Sequence, residues 1–344
     1  MSAAAGEAGA PAFSVRFGAY QPTAILARGG MGIIYRARHT GTGASVALKT
    51  LKASGPHDLE GLRREVHALG RIHHPGVVRL LGQGVERGVP WYAMELIEGG
   101  TLADLLHAPR PPAVPAPDAA AAWDARRRLL SIVQRVCEPV AFIHGQGIVH
   151  RDLTPQNITI RTPGDEPVIV DFGLVGRWSA VLARESLQSG GDLSGTVEYM
   201  APEQARGEYV DARADLYSLG CIIYEAVAGR PPFTGSVGEV VVQHLDRLPI
   251  PLSQLIADVP PRLDDLVLRL LEKDARRRIG FAEDVAIVLA EVARLPERAV
   301  ATPAAPYLYR PAFVGRGSHR EALVAAIRAT RAGRGGCMLI AGQS

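Results

Sequence analysis

Lysine is nearly absent from this 344-residue chain: of its 38 basic residues only Lys49, Lys52 and Lys273 are lysines. Cysteine is scarce too. Cys137, Cys221 and Cys337 stand far apart in apolar surroundings, with no C-x-x-C spacing. That pattern excludes a disulfide framework and points to a reducing compartment with inert core thiols. No run reaches the roughly 18 consecutive apolar residues that a membrane span needs. The opening MSAAAGEAGAPAF lacks a basic n-region and an apolar h-region, so residues 1–17 read as a disordered lead and not a signal peptide. A strong charge of one sign is missing over most of the length. Six arginines against Glu321 from Arg310 onward give +5, and the chain total is +3, so residues 1–309 carry −2. A basic tail does not make the main domain a nucleic-acid binder.

What is present is an ordinary globular balance, 47% hydrophobic and 21% charged, in a chain whose 344 residues are enough for a two-lobed domain and something more. Its chemistry concentrates between His144 and Gly173, HGQGIVHRDLTPQNITIRTPGDEPVIVDFG. Two apolar runs there, Ile148-Val149 and Val168 to Val170, each lead into an acidic residue on a tight turn. Asp152, Asn157 and Asp171 would reach one cleft rim, and two carboxylates with a carboxamide are hard oxygen donors suited to Mg²⁺. Earlier, Ala27-Arg28-Gly29-Gly30-Met31-Gly32 sits between strand-like segments. A glycine hairpin of this kind can lay its backbone over phosphates without obstruction from side chains. From Asp58, an N-cap, Leu59, Leu62, Val66 and Leu69 recur at helical spacing, with Glu65 at the stripe's edge.

Together these segments resemble the eukaryotic-type protein kinases, in their bacterial serine/threonine branch. The family pattern H-R-D-L-x-x-x-N stands here as His150 to Asn157, D-F-G as Asp171-Phe172-Gly173, and V-A-I-K as Val46-Ala47-Leu48-Lys49. His74-Pro75-Gly76-Val77-Val78, the A-P-E at Ala201-Pro202-Glu203, Asp215 to Gly220 and Lys273 to Arg278 follow in family order. The resemblance covers about residues 18–295. It implies an α+β, two-lobed kinase fold with a small β-rich N-lobe and a mainly helical C-lobe, in a cytoplasmic enzyme using ATP with Mg²⁺ or Mn²⁺. Lys49, paired with Glu65, would hold the α/β-phosphates beneath Gly29 and Gly32. Leu26, Ile34 and Ala47 would sandwich the adenine, Met94 would border it, and backbone groups of Glu95 and Ile97 would hold its edge. Asn157 and Asp171 would bind the metal, and Asp152 would take the hydroxyl proton. Asp215 would hold the catalytic-loop backbone, and Arg278 would pair with Glu203.

Besides Ala27 at the first loop glycine, Gly76 for asparagine and Ala275 for proline, two departures from the family matter. Thr154 replaces the usual lysine two residues after the catalytic aspartate, and Thr159 replaces the apolar floor of the adenine pocket. Rival readings are a pseudokinase-like nucleotide-binding module and a small-molecule phosphotransferase of kinase-like fold. The first usually loses the lysine or one of the two aspartates, and all are present. The second lacks the activation segment, which here runs from Asp171 to Glu203 with Ser179, Ser186, Ser189, Ser194 and Thr196. Protein substrates, and the chain itself by autophosphorylation through Ser186, Ser189 or Ser194, are the implied partners.

Residues 108–117, APRPPAVPAP, read as an extended surface insertion, and Ala125 to His144 as a helix kinked at Pro139. Residues 296–312 read as a proline- and alanine-rich linker. Beyond it, Phe313-Val314-Gly315-Arg316, a capped helix and the strand-like Cys337 to Ala341 resemble the entry to a signalling P-loop ATPase. Residues 313–344 are expected to be the helix–strand front of such an α/β domain, attached to the kinase in a longer regulator.

Overall fold

The computed structural model describes residues 13, 15–29, 32–51, 66, 70, 72–108, 119–172, 197–294 and 317–331. The chain divides into two compact units, residues 1–307 and 308–344. The expected linker, the activation-segment residues from Gly173 to Thr196, the insertion from Arg110 to Pro117 and the tail strand from Cys337 lie outside the described residues. So do Glu65, Gly30 and Met31.

Five antiparallel strands build the N-lobe: β1 (Tyr20–Gly29), β2 (Gly32–His39), β3 (Ser45–Leu51), β4 (Leu80–Glu86) and β5 (Val89–Glu95). Their order is β1-β2-β3-β5-β4, which puts β3 and β5 at the centre. The two-residue period of a strand sorts these central residues onto two faces. Val46, Leu48, Trp91 and Ala93 pack outward with Phe17 and Tyr20, while Ala47, Leu51, Tyr92 and Met94 join the main core. Phe17 is buried, and the Phe13 ring meets Tyr35 edge-on at 5.6 Å. Packed structure therefore reaches back to Phe13, inside the stretch read as a lead.

Gly29 faces Gly32 across the β1–β2 hairpin. Gly32 has φ 152°, and a Cβ there would lie 1.8 Å from the Thr50 carbonyl oxygen. Its glycine is thus required by the close approach of β3 as well as by any ligand above it.

A second sheet, β6 (Gly99–Thr101), β7 (Ile158–Arg161) and β8 (Glu166–Ile169), lies at the lobe junction. β8 is tied to the N-lobe by bonds from Ile169 N to Gly76 O and from Val78 N to Ile169 O, both 2.9 Å. The short α1 (Leu102–Leu106) follows β6 with a Thr101–Asp104 capping box. The long α2 (Ala119–Gly145) starts earlier than its periodicity suggested and carries Pro139 inside it. That proline is buried against Gly76, where a Cβ would meet its Cγ at 2.9 Å.

Below stand α3 (Pro202–Arg206), α4 (Arg213–Ala228), α5 (Val237–Asp246), α6 (Pro261–Leu270) and α7 (Ala282–Ala293). Nearly every residue of α4 is buried, polar ones included, because α2 and α6 pack against it. α7 packs along α2. The expected α+β two-lobed architecture is what the chain adopts. In the second unit, α8 (Gly317–Arg331) is the described element, with Leu323, Val324 and Ile327 exposed.

Candidate active site

The loop between α2 and β7 is shaped from beneath. Asp215, at the start of α4 and fully buried, accepts from the backbone N–H of His150 at 2.8 Å and of Arg151 at 2.7 Å. Its Oδ2 also meets His144 Nε2 at 2.8 Å. Burial opposes charge on Asp215, yet these partners outweigh it and hold the carboxyl below its ordinary range. Arg151 sits at φ 66°, in the left-handed region, and its carbonyl accepts from Gln204 Nε2 at 2.6 Å. Below Gln204, Arg278 grips Glu203 with two bonds of 2.6 and 2.7 Å, both side chains buried. The assigned Asp215 and Glu203–Arg278 contacts are thus present.

His150 is buried, which pushes its imidazole below the ordinary value and keeps it neutral. Its Nε2–H then donates to Val170 O at 3.2 Å, and Nδ1 accepts from Asp152 N at 3.3 Å. The same ring stacks on Phe172 at 4.8 Å, so one histidine orients both acidic turns. Asn157 completes the frame: its Nδ2 donates to Asp152 O at 2.8 Å and to Asp152 Oδ2 at 3.0 Å, and its backbone carbonyl, not its side-chain oxygen, accepts from Val170 N at 2.9 Å. The desolvated surroundings of Asp152, with the Asp171 carboxylate nearby, push its carboxyl up to about 7.

Lys49 enters from β3, buried, and pairs with Asp171 Oδ1. Asp171 itself stands at φ 57°. Tyr92, the register partner of Lys49 on β5, donates its hydroxyl to the same oxygen at 3.1 Å. Burial first, and then Asp171, drive the Tyr92 phenol far above its ordinary value, so it stays a donor. Tyr92 was missed in the sequence, although it lies two residues before Met94 on the same strand face.

Around the nucleotide side, Ala47 and Met94 are register partners and both buried. Ile34 lies opposite Lys49, and Leu26 is exposed beside a bulge in β1. Glu95 ends β5, its backbone N–H bonded to Arg79 O and its carboxylate 3.2 Å from Arg161 of β7. Ile97 and Ile34 pack at the margin of the core, and half-buried Thr159 faces Val168 in β7–β8. Thr154 is buried immediately before the Pro155–Asn157 turn. The pairing assigned to Glu65 cannot be placed, since Glu65 lies outside the described residues; among them, the carboxylate paired with Lys49 is Asp171.

A sheet-built lobe bearing a buried lysine, over a helical lobe bearing an H-R-D loop and a D-F-G turn, defines a protein kinase domain. The chain belongs to that family, matching the protein kinase domain over residues 20–287. It is 36% identical over 274 residues to the serine/threonine-protein kinase PknB of Mycolicibacterium smegmatis, covering 77% of this chain and 41% of that protein. It is 35% identical over 294 residues to the serine/threonine-protein kinase pkn2 of Myxococcus xanthus, covering 82% of this chain and 33% of that one. The solved PknI kinase domain of Mycobacterium tuberculosis is similar with TM-score 0.61 at 27% identity, over 82% of this chain and 98% of that one. The domain is thus a protein kinase domain similar to those of serine/threonine-protein kinases. The chain spans well under half the length of these curated relatives.

Proposed function

We propose that this chain transfers the γ-phosphoryl group of ATP to serine or threonine hydroxyls of protein substrates, itself included. The observation that carries the reading is two contacts, Lys49 on Asp171 and Asn157 on Asp152, with Val170, the residue before Asp171, bonded to both Asn157 and His150 of the Asp152 loop. Asn157 commits its amide nitrogen to Asp152, which leaves its carbonyl oxygen for a cation. With the Asp171 carboxylate this makes a hard-oxygen pair that fits Mg²⁺, or Mn²⁺ in its place, the phosphates completing the shell. When bound, that ion neutralises charge on the β- and γ-phosphoryl oxygens.

The protein's own groups do the rest. Lys49 turns from Asp171 toward the α/β-phosphates, anchored by Glu65. Gly29 and Gly32 let the hairpin backbone close over them. Leu26, Ile34 and Ala47 flank the adenine, Met94 and Thr159 border it, and the backbone of Glu95 and Ile97 reads its edge. Asp152 orients the substrate hydroxyl and accepts its proton, a role that suits a carboxyl held near 7. Thr154 supplies no cation where the resemblance expects a lysine, which leaves Lys49 as the assigned side chain that would meet the phosphoryl charge.

Among the described residues no helix is long and apolar enough to cross a membrane. The cytoplasmic location we propose rests on the kinase resemblance and its need for ATP. We read residues 313–344 as the front of an attached P-loop ATPase, a reading supported by the F-V-G-R sequence and the α8 helix that follows it. Purified chain with labelled ATP, Mg²⁺ and a protein substrate should transfer label to serine or threonine, and Asp152→Asn should not. Equal labelling by both proteins would overturn the assignment. The pseudokinase reading predicts nucleotide binding without transfer, which the same assay detects.

A further inference from the structure

We propose that Tyr92 is a positioning residue for Asp171, its phenol fixing the carboxylate that Lys49 must release when nucleotide binds. The inference rests on the kinase reading above. Two donors meet Asp171 Oδ1, the Lys49 ammonium and the Tyr92 hydroxyl. They arrive together because β3 and β5 are paired with Lys49 opposite Tyr92, both side chains on the inner face of the sheet.

The two donors differ in freedom. Lys49 ends a flexible four-carbon stem and can swing to a phosphate. Tyr92 is 3% exposed and belongs to the main core, so its ring is held by packing. When the lysine leaves, the phenol stays. Asp171 stands at a left-handed φ of 57°, and the contacts that fix its carboxylate are those of Lys49 and Tyr92. A buried hydroxyl in turn needs an acceptor, and Asp171 Oδ1 supplies it. Phenylalanine would fill the same volume. What tyrosine adds at this position is one oxygen, aimed at a metal-binding carboxylate.

Tyr92→Phe in the full chain tests this through binding. ADP affinity in excess EDTA should stay within about twofold of wild type, the scale of additivity between uncoupled changes. The Mg²⁺ concentration that half-saturates metal-dependent ADP binding should rise about tenfold, the size expected for one hydrogen bond to a charged group. In an Asp171→Asn background the same substitution should add no more than about a twofold change. A Mg²⁺ midpoint for Tyr92→Phe equal to wild type overturns the proposal. A joint loss of metal-free ADP binding and thermal stability also overturns it, because the ring and not the hydroxyl would then matter. Wild-type chain without any Mg²⁺-dependent ADP binding overturns the kinase reading along with it, which separates the two failures.

Discussion

Replacing Asp215 by asparagine removes one oxygen and one charge from a fully buried position while keeping the shape. Three donors now share that carboxylate: His150 N–H and His144 Nε2 on Oδ2, and Arg151 N–H on Oδ1. An amide has one oxygen and one NH₂ group. If the NH₂ takes the Oδ1 place, it faces Arg151 N–H and that donor is orphaned. If it takes the Oδ2 place, His144 can switch tautomer and accept from it, but His150 N–H is orphaned instead. Either way one buried backbone donor loses its acceptor, at about 1–3 kcal/mol. The surviving bonds also fall from charge-assisted to neutral, so the total should be about 2–4 kcal/mol. Both orphan candidates belong to the backbone that carries Asp152, so phosphoryl transfer should drop by tenfold or more, roughly what 1.4 kcal/mol of lost positioning gives. Urea unfolding followed by fluorescence, together with a transfer assay on the folded fraction, measures both. A destabilisation under about 1 kcal/mol with full activity would refute the claim that these three bonds hold the loop.

The Glu203–Arg278 pair predicts a different pattern. Arg278→Met leaves a buried carboxylate uncompensated and should cost about 3–5 kcal/mol, whereas Glu203→Met with Arg278→Met should recover much of it in the same urea titration. His244 is held down to about 3, first by burial and then by Lys273, so it stays neutral in the fold while the unfolded chain takes up a proton below 6.5. Stability from this group is full above pH 6.5 and is lost as pH falls toward 3, at up to about 1.4 kcal/mol per pH unit. His244→Gln should narrow the gap between unfolding temperatures at pH 7 and pH 5, and an unchanged gap would contradict the assignment. Thr154→Lys should leave turnover within a few-fold of wild type if the phosphoryl charge is already met. A rise of tenfold or more, about 1.4 kcal/mol of barrier, would show that a cation is missing there.

The residues proposed to do chemistry were legible because chemistry restricts their type and order. Lys49, Asp152, Asn157 and Asp171 each sit in a short motif, and the structure brings Asp152 to Asn157 and Lys49 to Asp171. Asp215 and Arg278 were legible in the same way, as fixed partners of a loop and of a glutamate. What the motifs could not carry was anything set by cross-strand register. Tyr92 reaches Asp171 because β5 pairs with β3 at one offset, and a slip by one residue would turn it to the other face. Gly32 read as a phosphate-loop glycine, yet its conformation also follows from the Thr50 carbonyl beside it. The lead was read as disordered from its small residues. Phe13 and Phe17, buried or stacked on the outer sheet face, were the apolar signal against extending that reading to residue 17.

The two halves of the site are held by different forces. Asp152 and Asn157 sit on a loop fixed from below by buried charge, through Asp215 and, one step further, Gln204 beside the Glu203–Arg278 pair. Such bonds lie in low dielectric, where an unmatched partner is expensive, so damage there reaches stability and catalysis together. Asp171 is held instead by two side chains from the N-lobe sheet, one of which, on the proposed function, would let go when nucleotide binds. The two side chains differ: the lysine ends a flexible stem, whereas the tyrosine ring is packed in the main core. Changes at Lys49 or Tyr92 should therefore alter nucleotide and metal binding while the C-lobe core keeps its stability. On the proposed function, the Asp152 loop is the permanent part of the centre, and the Asp171 side is the part that would assemble with its ligand.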